Sequence, residues 1–319
     1  MRQEKGIDWP SSIVVCEVGP RDGLQNEKKL FSVEQKVELI ERSVHAGAKI
    51  IEIGSFVHPK AVPQMADTDE VAKRIKRVEG VEYRALVMNM KGLERALAAG
   101  IRKTKLTVSA SRSHCLANMN RTPEEVVAGF GEFAEFTAKH GIELSGGIAT
   151  SFGCPFEGRV PLEQLVSVIS GFKKIGVKEV SISDTTGMAN PRQVYEYGVH
   201  VRKLFPDMKW ILHFHDTRGM GLANVVAGML AGIDRFDSCF AGLGGCPFAP
   251  GATGNIATED LVHMCHEMGI STGMDLDEVI SLARSVKEII GHDTSGFILR
   301  AGKCSDIVAP PKKDGKEAS

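Results

Sequence analysis

The chain has 319 residues, of which 43% are hydrophobic and 25% charged, and its formal net charge at pH 7 is −1. A chain of this length and composition can bury a large core. Its 39 basic and 40 acidic residues nearly cancel, so it lacks the basic excess that binds nucleic acid or an anionic membrane. Neither partner is therefore expected.

The cysteines and the chain ends indicate the compartment. The seven cysteines include no Cys-x-x-Cys pair, which argues against a disulfide framework and a cysteine zinc site. No apolar run reaches the roughly 18 residues of a membrane-spanning helix, and the first ten residues lack an apolar leader segment. We therefore expect a cytoplasmic protein. Residues 310–319 are predicted to be a disordered tail after a single domain of residues 1–309.

Short β-branched runs alternate with segments of helical period along the chain. The eight predicted strands are residues 13–18, 50–53, 83–87, 105–108, 143–149, 179–183, 210–214 and 235–240. Eight such repeats in about 250 residues predict one parallel (β/α)8 barrel, a TIM barrel, with extra C-terminal helices after Thr258 and Asp275. An open doubly wound sheet is the alternative, but no Gly-x-Gly-x-x-Gly follows the first strand.

Capping residues mark several helix boundaries. Ser32 with Gln35, and Thr122 with Glu125, have the spacing of capping boxes. Asn190 precedes a proline that suits the first turn of a helix. Glycines that stand between a helical segment and the next strand predict left-handed helix ends at Gly47, Gly100, Gly141, Gly176 and Gly232.

Polar residues collect at the carboxyl ends of the predicted strands, where the active site of a TIM barrel forms. These ends carry Glu17, Arg21, Asp22, Glu52, Asn89, Ser109, Ser111 and Asp184, and then the run His213-Phe214-His215-Asp216. We expect substrate contacts from this set and the loop after strand eight, namely from Arg21, Asn89, Ser109, Ser111, Asp184 and Gly245. For Arg21 and Asp22, a structural ion pair and an Asx turn are the alternative interpretation.

His213 and His215 are two residues apart on a predicted strand, so both imidazoles project from the same face. This geometry suits two adjacent ligands of a metal ion, whereas a pair of hydrogen-bonded core histidines is the alternative. Imidazole with carboxylate and amide oxygens fits Mg²⁺, Mn²⁺ or Zn²⁺. Without thiolate spacing the pattern favours the harder ions, Mg²⁺ or Mn²⁺.

A glycine-rich segment follows the eighth predicted strand. Residues 242–255 contain five glycines and Cys246, so the loop can approach a ligand closely and can move. Cys246 could give or take a proton or act as a nucleophile. A buried thiol in a plain surface loop is the alternative.

Several of these runs together resemble the hydroxymethylglutaryl-CoA lyase family, among the metal-dependent TIM-barrel lyases that also include isopropylmalate and homocitrate synthases. The resemblance extends from about Ile13 to the helix after Asp275. Its most specific segments are residues 17–27, 55–65, 153–158 and 213–217 and the Cys246 loop.

The resemblance implies a divalent metal ion held by Asp22, His213, His215 and Asn255. It also implies Arg21 near the thioester oxygen, Glu52 in support of the metal site and Cys246 as the catalytic acid or base. The implied reaction is the retro-Claisen cleavage of a 3-hydroxyacyl-CoA, with acetyl-CoA and acetoacetate as products. That activity belongs to leucine degradation and ketone-body formation, and a homodimer is implied as well.

One region departs from the lyase pattern. The run Ser109-x-Ser111-x-x-His114 is more similar to the condensing synthases of the same superfamily, and Gly54, Met88 and Ser183 are also unexpected. Two alternatives therefore stay open. One is a Claisen-condensing enzyme that joins acetyl-CoA to a 2-oxo acid, and the other is a barrel retained as a metal-dependent binding module.

Overall fold

The structure of the protein, a computed structural model, describes residues 7–245 and 253–308. Its strands are β1 (Val14–Glu17), β2 (Ile50–Phe56), β3 (Glu82–Val87), β4 (Lys103–Ser109), β5 (Glu143–Ala149), β6 (Gly153–Cys154), β7 (Gly158–Arg159), β8 (Glu179–Asp184), β9 (Lys209–Phe214) and β10 (Arg235–Ser238). All except β6 and β7, which form a small antiparallel hairpin, close into a parallel barrel in which β10 pairs with β1. The TIM-barrel prediction is confirmed.

Helices surround this barrel. They are α1 (Val33–His45), α2 (Thr68–Arg74), α3 (Met90–Ala98), α4 (Arg112–Met119), α5 (Pro123–Ala128), α6 (Gly131–His140), α7 (Leu162–Lys174), α8 (Pro191–Leu204), α9 (Gly221–Leu230), α10 (Thr258–Glu267), α11 (Leu276–Ile290) and α12 (Ile298–Ala301). The expected C-terminal helices are α10 and α11, whereas α12 was not predicted.

The predicted helix boundaries are present. Ser32 and Thr122 begin α1 and α5 with complete capping boxes, and the Asn190 side chain accepts a hydrogen bond from the Gln193 backbone N–H at the start of α8. The five predicted helix-ending glycines all have positive φ. Local sequence signals therefore specify these boundaries correctly.

Most strand limits differ from the prediction by one to three residues, and β2 continues to Phe56 instead of ending at Ile53. Two of the differences concern the site. The eighth barrel strand ends at Ser238 instead of continuing to Phe240, because the chain turns there so that the Phe240 N–H donates to the buried Glu17 carboxylate at 3.2 Å. β4 begins at Lys103, two residues before the predicted start. Lys103 is a lysine inside the barrel, which an apolar strand pattern does not detect.

The barrel interior is charged, whereas branched apolar residues usually fill it. At the amino-terminal ends of the strands, the Glu179 Oε1 atom lies 3.1 Å from an Arg84 nitrogen and 3.0 Å from Lys103 Nζ. Further along the barrel, Lys105 Nζ lies 2.6 Å from Glu52 Oε2 and 3.7 Å from Asp237 Oδ2. All of these side chains are buried, so each depends on its opposite charges for compensation.

The predicted tail, residues 310–319, lies outside the described residues, and the single domain of residues 1–309 stays a prediction. Across residues 7–245 and 253–308, no helix combines the length and the apolar character that crossing a membrane requires.

The turn between α1 and β2 yields a stability prediction. Gly47 has a φ of +104°, and a Cβ atom there would lie 2.2 Å from the Gly273 carbonyl oxygen. We expect Gly47→Ala to lower the free energy of unfolding by about 2–4 kcal/mol through strain and overpacking. Gly141→Ala is the matched control, because Gly141 has a φ of +63° with no atom within 4 Å of the added Cβ. Gly141→Ala should lower the free energy of unfolding by about 1 kcal/mol. Equal urea midpoints for the two variants would contradict this account.

Candidate active site

The turn after β1 places Arg21 and Asp22 at the carboxyl end of the barrel. Residues Gly19–Gly23 form one helical turn, and the Gly19 N–H donates to Glu17 Oε1 at 2.7 Å. A Cβ atom on Gly19 would overlap the Phe240 ring at 2.5 Å. The Pro-Arg-Asp-Gly run is thus a helical turn, and its two charged side chains face the site.

Arg21 links the carboxylates of two neighbouring segments. Its Nε donates to Glu52 Oε1 on β2, and one terminal nitrogen donates to Asp22 Oδ1. Burial opposes ionisation of Asp22, but Arg21 and the nearby histidines hold the pKa of Asp22 well below its usual range. Burial also opposes ionisation of Glu52, yet Arg21 and Lys105 lower its pKa. Both carboxylates are therefore ionised at neutral pH.

His213 and His215 lie at and just beyond the end of β9, with their rings on the same side, as predicted. Their Nε2 atoms are 3.1 Å apart and lie 3.8 Å and 3.6 Å, respectively, from Asp22 Oδ2. His213 Nδ1 lies 3.1 Å from Asp237 Oδ2 on β10. A carboxylate partner at Nδ1 directs the Nε2 lone pair toward the site, which is the common arrangement behind a metal-binding histidine.

Asn255 joins this cluster from the far side of the glycine-rich segment. The backbone at Asn255 bridges to His215, and its Nδ2 donates to Asp22 Oδ2 at 2.7 Å and to the Leu243 carbonyl at 2.9 Å. Its Oδ1 is buried and accepts no hydrogen bond from residues 7–245 or 253–308. A buried acceptor without a donor is costly, and a cation would satisfy it.

The donor set fits a divalent cation. Ligand atoms of Asp22, His213 and His215 all lie within 4.8 Å of one another. Burial lowers the pKa of His215 even though Asp22 opposes this, so the imidazole is neutral, as a metal ligand must be. One carboxylate, two imidazoles and an amide oxygen without thiolate suit Mg²⁺ or Mn²⁺, and Zn²⁺ also accepts such ligands.

A cavity of about 270 Å³ opens beside this cluster. Its walls combine the cluster with inward-facing residues of the strands, and they are Arg21, Asp22, Gln25, Asn26, Leu86, Lys105, Thr107, His114, Asn118, Gly147, Ala149, Ser181, Ser183, Thr185, His213, His215, Asp237 and Gly245. Small and polar side chains predominate. The arrangement can hold a small polar ligand against the side chains of the cluster.

Some of the predicted substrate contacts have structural partners instead of lining this cavity. The Asn89 side chain caps α3 and the Ser111 side chain caps α4. Ser109 Oγ lies 2.7 Å from His114 Nδ1, and it is His114 that lines the cavity. The Asp184 carboxylate accepts the Met188 and Ala189 N–H groups at 2.8 and 3.0 Å, while burial raises its pKa to about 6. Substrate contact by these four residues stays a prediction.

The glycine-rich segment reaches the cavity at Gly245. The Gly245 carbonyl accepts a hydrogen bond from Asn26 Nδ2 at 3.0 Å. Cys246 lies outside the described residues, so its predicted chemistry has no geometry to be compared with.

Sequence reasoning missed two buried charges of the site, Lys105 and Asp237. Both lie on strands, before the carboxyl ends on which the prediction concentrated. The available signal was alternation: Lys105 lies two residues before Thr107 on β4, and Asp237 lies between Phe236 and Ser238 on β10. A charged residue at an inward-facing strand position is unusual, and it indicates either an ion pair or a ligand contact.

Two further carboxylates are buried beside the start of the glycine-rich segment. Glu17 accepts hydrogen bonds from the Phe240 N–H and from Thr258 Oγ1, and Glu259 accepts one from the Ala241 N–H at 3.1 Å. Burial raises the pKa of Glu17 to about 7 and that of Glu259 to about 8. Both are therefore partly or wholly protonated near neutral pH.

A closed parallel barrel with an Asp-His-His cluster at the carboxyl ends of its strands is typical of metal-dependent barrel enzymes. Comparison with known proteins agrees with this class. Residues 12–286 match the model of the HMGL-like family. The chain is 42% identical to a hydroxymethylglutaryl-CoA lyase of Bacillus subtilis over 94% of its own length and 100% of that protein. It is 40% identical to the (R)-citramalyl-CoA lyase of Chloroflexus aurantiacus, over 91% of this chain and 95% of that one.

A solved structure shows the same fold. It is an HMG-CoA lyase from Acinetobacter baumannii in complex with coenzyme A and 3-methylmalate, with 45% identity and a TM-score of 0.90 over 94% of this chain and 98% of that one. The chain belongs to the HMGL-like family.

The raised pKa values predict how stability varies with pH. A carboxyl group whose pKa is higher in the folded state stabilises the fold most below its unfolded pKa, and that contribution is lost as pH rises through the folded pKa. Glu259 should thus make the free energy of unfolding fall by a few kcal/mol between about pH 5 and about pH 8.

Glu259→Gln should flatten this slope, because the neutral amide does not ionise and can still accept the Ala241 N–H. Glu267→Gln, on the exposed face of the same helix, is the control and should leave the slope unchanged. Urea unfolding at several pH values measures both. An unaltered slope in Glu259→Gln would show that this carboxyl group does not carry the effect.

Proposed function

We propose that this protein is a metal-dependent carbon–carbon lyase that cleaves 3-hydroxy-3-methylglutaryl-CoA, or a closely related 3-hydroxyacyl-CoA, by a retro-Claisen reaction. The observation that carries the proposal is the cluster of Asp22, His213 and His215 beside Arg21 at the cavity, in a chain related over almost its whole length to such lyases. The substrate enters as a CoA ester, and the products are acetyl-CoA and acetoacetate.

The metal ion would be held by Asp22, His213, His215 and Asn255. When bound, it would supply a Lewis acid that lowers the pKa of the substrate hydroxyl. We favour Mg²⁺ or Mn²⁺ because the ligands are carboxylate, imidazole and amide.

The reaction removes the proton of the C3 hydroxyl, breaks the C2–C3 bond and leaves the electron pair on C2 as a thioester enolate. Because its pKa is held low, Asp22 is a hydrogen-bond acceptor and a weak base. Asp22, or a water molecule linked to it, is the proposed acceptor of the hydroxyl proton, whose own pKa a bound metal ion would lower.

Arg21 fits the role of stabilising the enolate oxygen. Glu52 and Asp22 accept hydrogen bonds from two nitrogens of its guanidinium and fix its orientation, and the side chain lines the cavity. A donor that is already oriented stabilises developing negative charge without reorganising.

Cys246 is proposed to protonate C2 of the enolate. The support is the position of its neighbours, since Gly245 lines the cavity and Asn255 belongs to the metal-binding cluster. The glycine-rich segment is also proposed to exclude water from the enolate, in support of which Gly245 lines the cavity.

The condensing enzyme is the second candidate. The contact between Ser109 and His114 favours it, because His114 lines the cavity in the run that is similar to the synthases. Free CoA released from acetyl-CoA and a 2-oxo acid, without cleavage of hydroxyacyl-CoA esters, would establish it. The proposals of a homodimer and a cytoplasmic location follow the family resemblance and the sequence.

Metal removal gives the first activity prediction. EDTA should abolish acetyl-CoA release from 3-hydroxy-3-methylglutaryl-CoA, and Mg²⁺ or Mn²⁺ should restore it. His213→Ala should lower kcat at least about 100-fold, because the cluster loses a ligand. His200→Ala, at an exposed position on α8, is the control. Full activity of both EDTA-treated protein and His213→Ala would refute the metal-dependent mechanism.

The variant Arg21→Met tests whether the guanidinium stabilises the enolate. We expect kcat to fall about 10²–10³-fold with a smaller change in KM, because the guanidinium acts mainly on the charge that develops during cleavage. Arg112→Met removes an exposed arginine and should leave both constants near those of the unmodified enzyme. A change in KM alone would mean that Arg21 only binds the substrate.

A further inference from the structure

Lys105 is a buried cation at the inner part of the cavity. Only 3% of its surface is exposed, yet it lines the same cavity as Asp22 and His213. It lies one inward-facing position deeper along β4 than Thr107. An ammonium group has three N–H donors. Within the part of the chain that the structure describes, Glu52 and Asp237 are the carboxylates in ion-pair contact with it.

Gly147 leaves this lysine open to the cavity. It pairs with Thr107 across β4 and β5, and its φ is not positive, so the backbone there does not require glycine. A Cβ atom at this position would lie 3.4 Å from Lys105 Cδ and 2.9 Å from Thr107 Cγ2. Glycine inside a strand often marks a place that a ligand approaches closely.

The wall beside Gly147 is small and polar. Ser181 and Ser183, on the next barrel strand, β8, also line the cavity, and Ser181 Oγ donates to Asp237 Oδ2 at 3.3 Å. Hydroxyl groups that line the same cavity as an ammonium suit an anionic group of a ligand and do not suit a long alkyl chain.

We propose that the Lys105 ammonium binds the free carboxylate of the acyl group and thereby selects 3-hydroxyacyl-CoA esters that carry such a carboxylate. This inference rests on the proposed function. A glutaryl thioester has CoA at one end and a carboxylate at the other. Coenzyme A is too large for a cavity of about 270 Å³ and must stay at its mouth. The opposite end of the acyl chain then points inward, toward Lys105.

The test compares 3-hydroxy-3-methylglutaryl-CoA with its carboxamide, in which the free carboxylate is replaced by a neutral group of the same size. Dissociation constants are measured by calorimetry in EDTA, so that neither ester is turned over. The unmodified protein should bind the acid at least about tenfold more tightly than the amide, as expected for a buried charged pair. In Lys105→Met this preference should fall to about twofold or less.

A purely structural lysine gives a different result. Loss of Lys105 would then weaken both esters equally and leave the preference intact, which would overturn the proposal. Gly147→Val provides a second variant, because it retains the Lys105 ammonium but adds a side chain against the lysine stem on the cavity wall. It should also reduce the preference for the acid, whereas Val78→Ala, at an exposed position remote from the cavity, should not.

Failure of the proposed function can be recognised separately. If the unmodified protein with Mg²⁺ or Mn²⁺ releases no acetyl-CoA from 3-hydroxy-3-methylglutaryl-CoA, the proposed lyase function is contradicted. The acid-to-amide ratio in EDTA still decides whether Lys105 binds a carboxylate.

Discussion

The buried Glu52 carboxylate, held between Arg21 and Lys105 inside the barrel, is the interaction on which the site depends. An isolated charge at this depth would be too costly to keep. Each of the two cations is therefore shared with a second carboxylate. Arg21 also pairs with Asp22, and Lys105 also lies near Asp237. The charges compensate one another as one network.

This network orients the chemistry at the cavity. Arg21 fixes one oxygen of Asp22, and the other oxygen faces the two histidines. Asp237 contacts His213 at Nδ1 and leaves Nε2 for a ligand. Charge compensation, which the barrel needs for stability, thus also fixes the positions of the metal-binding atoms. Removal of one charge is expected to disturb more than one part of the site.

The sequence predicted the barrel well because its signals are local. Capping residues such as Ser32 and glycines such as Gly47 act within a few residues of one another, and the spacing of His213 and His215 follows from strand geometry alone. Lys105 and Asp237 were missed because their significance depends on partners from other strands, which no local pattern reveals. Asp184 was predicted to contact substrate because it is a polar residue at a strand end. Its carboxylate instead accepts hydrogen bonds from backbone N–H groups of the loop that follows the strand.

We infer that this charge network positions the ligands of one divalent cation. Equilibrium dialysis against Mn²⁺ tests this inference most directly, with bound metal counted per chain in the unmodified protein and in Asp22→Asn. We expect about one tightly bound ion per chain in the unmodified protein. We also expect a large loss of affinity in the variant, because Asp22 faces both histidines. No tight binding to the unmodified protein, or equal binding to both proteins, would contradict this inference.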